Sequence, residues 1–429
     1  MQTIASKARS VWRLLLSRTS FCAAFLCLSL IRFVDNTLYW NVLRFLMFPW
    51  GAALAYPLLT LHNLPRNRGM VFAFAFFIWY FIVSYVNRKY SFYQNAYDWF
   101  LILFSLFIFY PQDRSLPFAS LKLRMQVVLG SFYGLWAVYC LIALFAAFKG
   151  QTFTCMSGSV FGMHDNRIWI AGNPNTVGYL CAAGLLFSLY FAIEKKRSLT
   201  VPLVINGMLL FVCLSLSDSR SSIIMLCLCV FLLLFTVLQA HKLPKRVLIA
   251  IFGSLLLFIS FRLVGAGILR KIANAPHVAS RSIGYKASSL NGRTALWTGA
   301  LLFLRDHPFS LFTGITRIGI WEALGVYASG IYQAGSLHNT YLQTLLAAGL
   351  PGLACMAGLG CVVAPRAWRL LFPAKGNAPS SSCILAAVLA LFIGISFVED
   401  LLFMTNNVSN QLFFYTAGCV MCLSDNQGV

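Results

Sequence analysis

The sequence predicts an all-α integral membrane protein of about twelve transmembrane helices, with one long extracytoplasmic loop between the ninth and tenth spans. Three observations carry this. Of the 429 residues, 59% are hydrophobic and only 10% charged, with a mean hydropathy of +0.77, whereas soluble domains carry about 25% charged residues. Apolar runs approaching the roughly 20 residues that cross a bilayer recur along the whole chain. Positive charge collects on alternate connecting segments.

In chain order the runs lie near 20–34, 40–61, 69–87, 96–111, 125–148, 170–193, 200–217, 221–240, 247–266, 338–364, 381–398 and 405–423. Residues 1–266 then form a bundle of nine spans, 267–337 the loop subdomain, and 338–429 the last three spans. Lys7, Arg9, Arg13 and Arg18 before Phe21 to Leu30 imitate a signal peptide. No small-residue cleavage site follows and further spans do, so the run is expected to remain as the first span. With the N-terminus in the cytoplasm, the inner loops hold Arg66 and Arg68; Arg114, Lys122 and Arg124; Lys195, Lys196 and Arg197; Lys242, Lys245 and Arg246; and Arg366, Arg369 and Lys375. With the four N-terminal charges, 18 of the 33 basic residues fall inside, the bias expected of cytoplasmic loops. Both termini are then cytoplasmic.

The net charge of +22 would suggest nucleic acid in a soluble chain; here much of it is topological bias, and no nucleic-acid partner is expected. The expected surroundings are membrane lipids. Nearly all thirteen cysteines, such as Cys22, Cys27, Cys227, Cys229 and Cys355, sit inside apolar runs and act as small apolar side chains. Cys419 and Cys422 have no second pair to complete a zinc site, and Cys155 is the one cysteine clearly in an outer loop, so no disulfide framework is expected.

Three outer segments carry chemistry-bearing residues. Lys149 to about Asn175 contains His164, Asp165, Arg167, Asn173 and Asn175; the turn Ser217-Asp218-Ser219-Arg220 joins two spans; and the loop from about Gly267 ends in His338 and Asn339 as the chain re-enters hydrocarbon. Ionisable groups at that boundary are costly and usually functional. His164 alone has no such context. Within the long loop, Trp297, Leu301 and Leu304 recur at helical spacing as a stripe suited to a membrane surface. Asn291 is an N-cap and Pro308 a stop. Arg293 then falls in the first turn, where the helix dipole disfavours a cation, unless an anion is shared between the arginine and the free N–H groups.

The acidic residues are scattered apart from Glu399-Asp400, so neither a carboxylate-held metal nor a glycosidase pair is expected, and no phosphate loop, H-E-x-x-H or G-x-S-x-G occurs. The outer set is cationic and amidic instead. Arginine presents a planar fork for phosphate oxygens, so a phosphate-bearing lipid is the natural ligand for Arg167, Arg220 and Arg293, with Asn173, Asn175 and Asn339 beside them. His338 can take a proton from an attacking hydroxyl. Two arginines can stabilise a pyrophosphate leaving group without a divalent metal, so neither metal nor cofactor is expected.

These segments resemble the O-antigen ligase and polymerase family of bacterial membrane glycosyltransferases. Asp218-Ser219-Arg220-Ser221-Ser222 opening an apolar helix is similar to the family's arginine motif. Gly292-Arg293-Thr294 through Asp306-His307-Pro308-Phe309 resembles its loop arginine helix with a histidine-proline pair. Leu337-His338-Asn339-Thr340-Tyr341-Leu342-Gln343, with Gly349 and Gly352, resembles the segment ending its long loop, and Gly172-Asn173-Pro174-Asn175-Thr176 a further recurrent element. The likeness covers roughly residues 170–365. The chain departs from the pattern after Pro308, where Phe309-Ser310-Leu311-Phe312 delays Gly314.

The resemblance implies metal-independent, inverting transfer of a glycan from a polyprenyl-pyrophosphate carrier to an acceptor hydroxyl on the outer face of a bacterial inner or plasma membrane. The acceptor would be lipopolysaccharide core, a growing polysaccharide or a protein. Arg220 and Arg293 would contact the pyrophosphate and His338 would assist the acceptor hydroxyl. A transporter or flippase for an anionic glycolipid or polysaccharide is the alternative and would need ionisable residues near mid-span; Arg44 and Arg262 both lie close enough to the outer ends to snorkel. A scaffold role accounts least well for the outer cations.

The topology is open to direct measurement. Reporter fusions after Arg197 and Lys245 should report cytoplasm and a fusion near Gly284 the outside; a cytoplasmic signal near Gly284 would undo the common side of these residues.

Overall fold

The protein is described here by a computed structural model at residues 17–55, 68–89, 118–164, 167–170, 173–194, 200–241, 293–327, 336–373, 381–402 and 408–426. The helices are α1 (Arg18–Ile31), α2 (Asn36–Val42), α3 (Phe48–Ala55), α4 (Arg68–Val86), α5 (Phe118–Phe148), α6 (Pro174–Glu194), α7 (Thr200–Ser217) and α8 (Arg220–His241). They continue with α9 (Arg293–Asp306), α10 (Ser310–Thr313), α11 (Thr316–Tyr327), α12 (Thr340–Leu371), α13 (Ser382–Ile395) and α14 (Val408–Asn426). Ten of the twelve expected spans overlap helix within the described residues; 96–111 and 247–266 lie outside them, as do Asn291, Arg262 and the loop from 267 to 292. Among the described residues three helices are long and apolar enough to cross a membrane, within α5, α6 and α12, and several shorter ones are apolar throughout. Phe45, Phe145, Met208 and Ile224 are exposed on the helical surfaces. Helices apolar on outward as well as inward faces are matched to lipid tails rather than water.

The all-α expectation needs one correction. The first outer segment folds as an antiparallel sheet in the order β1 (Thr152–Thr154), β2 (Val160–His164), β3 (Arg167–Trp169). Phe161 and Ile168 are buried against the bundle, with Phe161 edge-on to Tyr139 of α5 at 5.6 Å. Strands this short carry almost no periodicity in the sequence.

Local chemistry explains the irregular helices. Pro49 cannot donate to the carbonyl four residues back, and the helix widens just before it into a π stretch, Leu43–Met47. In α12, Gly349-Leu350-Pro351 breaks the helix into two. Gly349 has φ 67°, ψ −174° and Gly314 has φ 67°, ψ 175°, a region open essentially to glycine alone. The two meet reciprocally: a Cβ on Gly349 would lie 2.2 Å from the Phe312 carbonyl oxygen, and one on Gly314 2.5 Å from that of Ala347. The Ile315 amide donates to the Leu346 carbonyl (2.8 Å) and Trp79 Nε1 of α4 to the Ala348 carbonyl (2.6 Å). This joint fastens α9–α11 to the membrane bundle. Gly314, which follows Phe309-Ser310-Leu311-Phe312, is the loop's half of it.

Helix α9 packs on the protein along a face beside the expected apolar stripe. Its buried face is Leu296, Gly299, Ala300 and Phe303; Leu301 is exposed, while Trp297 and Leu304 are half-buried. The helix therefore packs on the protein along a face one residue displaced from the expected stripe, and it ends at Asp306, ahead of Pro308.

The joint yields a test. Gly349→Ala forces a side chain into backbone at a glycine-only conformation, a strain of about 1–3 kcal/mol before any clash. The variant should melt at clearly lower temperature in detergent than Gly360→Ala, where an added Cβ meets nothing; equal melting temperatures would show that the joint yields freely.

Candidate functional site

The N-termini of α6, α8 and α12 and the C-termini of α7 and α13 lie at one end of the bundle, and α9 joins them there. Three helix starts bring side chains to a single carboxylate. Pro174 opens α6 with the φ that a first turn requires, and the Asn173 side chain accepts from the Asn175 amide (2.8 Å). Asn175 then projects from the first turn and donates through Nδ2 to Glu399 Oε1 (2.8 Å). Arg293, the first residue of α9, forms an ion pair through Nη2 with the same oxygen. His338 Nδ1 lies 3.2 Å from Glu399 Oε2. The side chains of Glu399, Arg293 and His338 are 6%, 14% and 20% exposed, so the carboxylate is nearly enclosed while the histidine keeps an open edge.

Residues that never touch the carboxylate hold it in place. Asn339 caps α12, its Oδ1 accepting from the Leu342 amide (2.9 Å) while Nδ2 donates to the Phe397 carbonyl (3.0 Å). The buried Thr340 donates through Oγ1 to the Glu399 carbonyl (3.1 Å) and accepts from the Leu401 and Leu402 amides (3.0 and 3.3 Å). The segment after α13 is thereby stitched to the start of α12, which sets Glu399 opposite His338. His338 itself has φ 48°. Non-glycine residues in that region cost about 1–3 kcal/mol and cluster where function demands them. Asp218, two residues before Arg220, has φ 53°.

Arg167 extends the network. Its Nη2 donates to Asn175 Oδ1 (2.7 Å) and its Nε to the Ser217 carbonyl at the end of α7 (2.6 Å). The strand thus braces both Asn175 and the α7–α8 turn. Arg220 is exposed at the start of α8 and makes no hydrogen bond or ion pair with another described residue.

The geometry unites five of the six expected site residues through Glu399 and its flanking backbone: Arg293, His338 and Asn175 directly, Arg167 through Asn175, and Asn339 through Phe397. Arg220 stands at the neighbouring helix start. Asn339 differs from expectation, because both ends of its amide are engaged by backbone. Glu399 was missed as a site residue. It lies 61 residues beyond His338 in sequence and no spacing rule joins them, although the side-of-membrane argument applied to the cations would have found it. Among the described residues no three His, Cys, Asp or Glu side chains are arranged to hold a metal ion. All thirteen cysteines are free thiols.

At the opposite end Lys122 of α5 pairs with Glu194 of α6 (2.6 Å), and Ser381, just before α13, donates to the same carboxylate. The network holding Glu399 and this one lie at opposite ends of α6 and α13.

No curated protein matches the chain. Residues 205–357 match the family model described as O-Antigen ligase, a stretch that includes Arg220, Arg293 and His338 and leaves Arg167, Asn175 and Glu399 outside it. Over that segment, whose three motif residues gather at one end of a helical bundle, the chain is similar to the O-antigen ligase family.

Proposed function

We propose that this protein transfers a glycan from a polyprenyl-pyrophosphate carrier to an acceptor hydroxyl at the outer membrane face, without a metal ion. The observation that carries this reading is the convergence of Arg293, His338 and Asn175 on one enclosed carboxylate, beside the exposed Arg220. The family match supports glycan transfer in the membrane as the class of activity.

The roles follow from the chemistry of each group. With Nδ1 facing Glu399, the imidazole keeps its proton on that nitrogen and its lone pair on Nε2, the nitrogen that accepts from a hydroxyl. The acceptor oxygen attacks the anomeric carbon and its proton passes to His338. The bond from that carbon to the pyrophosphate breaks, and the electron pair leaves on the phosphate oxygen. Arg220 and Arg293 stabilise the charge that develops there, the work a divalent cation would otherwise do. Arg293 keeps further N–H donors beyond the one given to Glu399, so it can bridge carboxylate and phosphate. Direct displacement from the opposite side inverts the anomeric centre. Asn175, Arg167 and Asn339 hold the constellation rather than the substrate.

His338→Ala should lose about 10²–10⁴-fold in turnover with donor affinity and melting temperature little changed. A loss below about tenfold per folded molecule, under the low end of that range, removes His338 as the base.

The arginines are tested in the same assay run in excess EDTA, where the unaltered protein should remain active. Arg220→Lys and Arg293→Lys should each slow transfer strongly although charge is kept, because lysine lacks the fork. Near-normal rates for both, at equal expression, would leave Arg220 a surface cation and Arg293 a structural partner of Glu399.

A further inference from the structure

Next to this network one face of the small sheet has no part in the chemistry so far. In the β2–β3 register His164 pairs with Arg167 and Gly162 with Trp169. Directly opposed residues share a face, so His164, Arg167 and Trp169 project together, away from the face that buries Phe161 and Ile168. Arg167 turns into the network, reaching Asn175 and Ser217. Trp169 stands two residues further along the strand, about 7 Å away. It is half-buried, and the His164 ring meets it edge-on, 5.0 Å between centroids at 62°. Its cross-strand neighbour is Gly162, at φ 122° and with Gln151 backbone where a Cβ would be, so no side chain covers the indole from that position. The indole Nε1 is enclosed and has no acceptor among the described residues.

We propose that Trp169, oriented by His164, is a saccharide subsite that stacks against the pyranose ring joined to the carrier pyrophosphate. The C–H bonds on one side of a pyranose carry partial positive charge and suit the negative face of an indole. The donor sugar is bonded to the phosphate assigned to Arg220 and Arg293, and Arg167 ties the strand bearing Trp169 to the α7–α8 turn from which Arg220 projects. The subsite rests on the proposed glycan transfer, and it gives His164, without a context in the sequence, a positioning task.

The test compares the affinities of undecaprenyl pyrophosphate and undecaprenyl-pyrophosphoryl N-acetylglucosamine for the purified full chain in detergent. The unaltered protein should prefer the sugar-bearing lipid by roughly 2- to 12-fold, the worth of one aromatic contact. Trp169→Leu, which keeps apolar volume, should abolish that preference and leave affinity for the sugar-free lipid unchanged, while Trp169→Phe should retain part of it. An equal loss for both lipids would make Trp169 a packing residue and overturn the proposal, as would a preference that survives Trp169→Leu or is absent at the outset. Arg293→Lys in the same assay separates the two readings, since it should weaken both lipids alike. A chain that bound neither lipid would lose the parent reading together with the subsite.

Discussion

A carboxylate that is 6% exposed must be compensated, and Glu399 is compensated from three directions. Removing one partner of a buried charge pair commonly costs about 3–5 kcal/mol, because the other charge stays buried. Arg293 from α9 is the charge partner to which that cost applies, and Asn175 from α6 and His338 ahead of α12 supply the remaining contacts to the carboxylate. The three helices each point an N-terminus toward that region, where unpaired N–H groups and the dipole favour negative charge. The site can hold one anion of its own and still be the end of the bundle best suited to another.

The same constraint orders the parts around it. Thr340 fixes the segment bearing Glu399, and Asn339 ties the start of α12 to the last residues before it. The Gly314–Gly349 contact binds the loop helices to α12 through backbone alone, so no side-chain rearrangement can loosen it. Arg167 carries the network to the α7–α8 turn from which Arg220 projects. At the far end the Lys122–Glu194–Ser381 contact joins α5, α6 and the start of α13. Helices held at both ends keep a site near the intended geometry to within the small displacements that catalysis tolerates.

How much of this could be read from the sequence depended on the physical cause. Helices sized to hydrocarbon announce themselves, because every backbone polar group must be satisfied within the span; α5, α6 and α12 were legible for that reason. The cations were legible because charge at a membrane boundary is rare. The strands were not, since three to five residues show no usable alternation, and with them was lost the context of His164. Glu399 was visible as a residue and invisible as a partner, because its meeting with His338 is made by tertiary packing of α12 against α13. On α9 the apolar stripe of Trp297, Leu301 and Leu304 was legible, but the face one residue away that docks on α11 and α12 was not, because it is decided by tertiary packing.

Arg293 shows how a local misfit in sequence can foretell a tertiary contact. A cation in the first turn of a helix opposes the dipole, which implied an anion nearby, and the anion in this structure is the protein's own carboxylate. That has a consequence for the proposed reaction. A pyrophosphate approaching Arg293 meets Glu399 already in place, so negative charge would accumulate as the leaving group departs. The proton taken from the acceptor hydroxyl arrives on His338 at that moment, and the imidazolium so formed faces Glu399. The carboxylate then gains a second cationic partner just as phosphate draws on the first. In that arrangement Glu399 lets base and leaving-group stabiliser act in concert, since charge withdrawn from one side of the carboxylate is restored on the other.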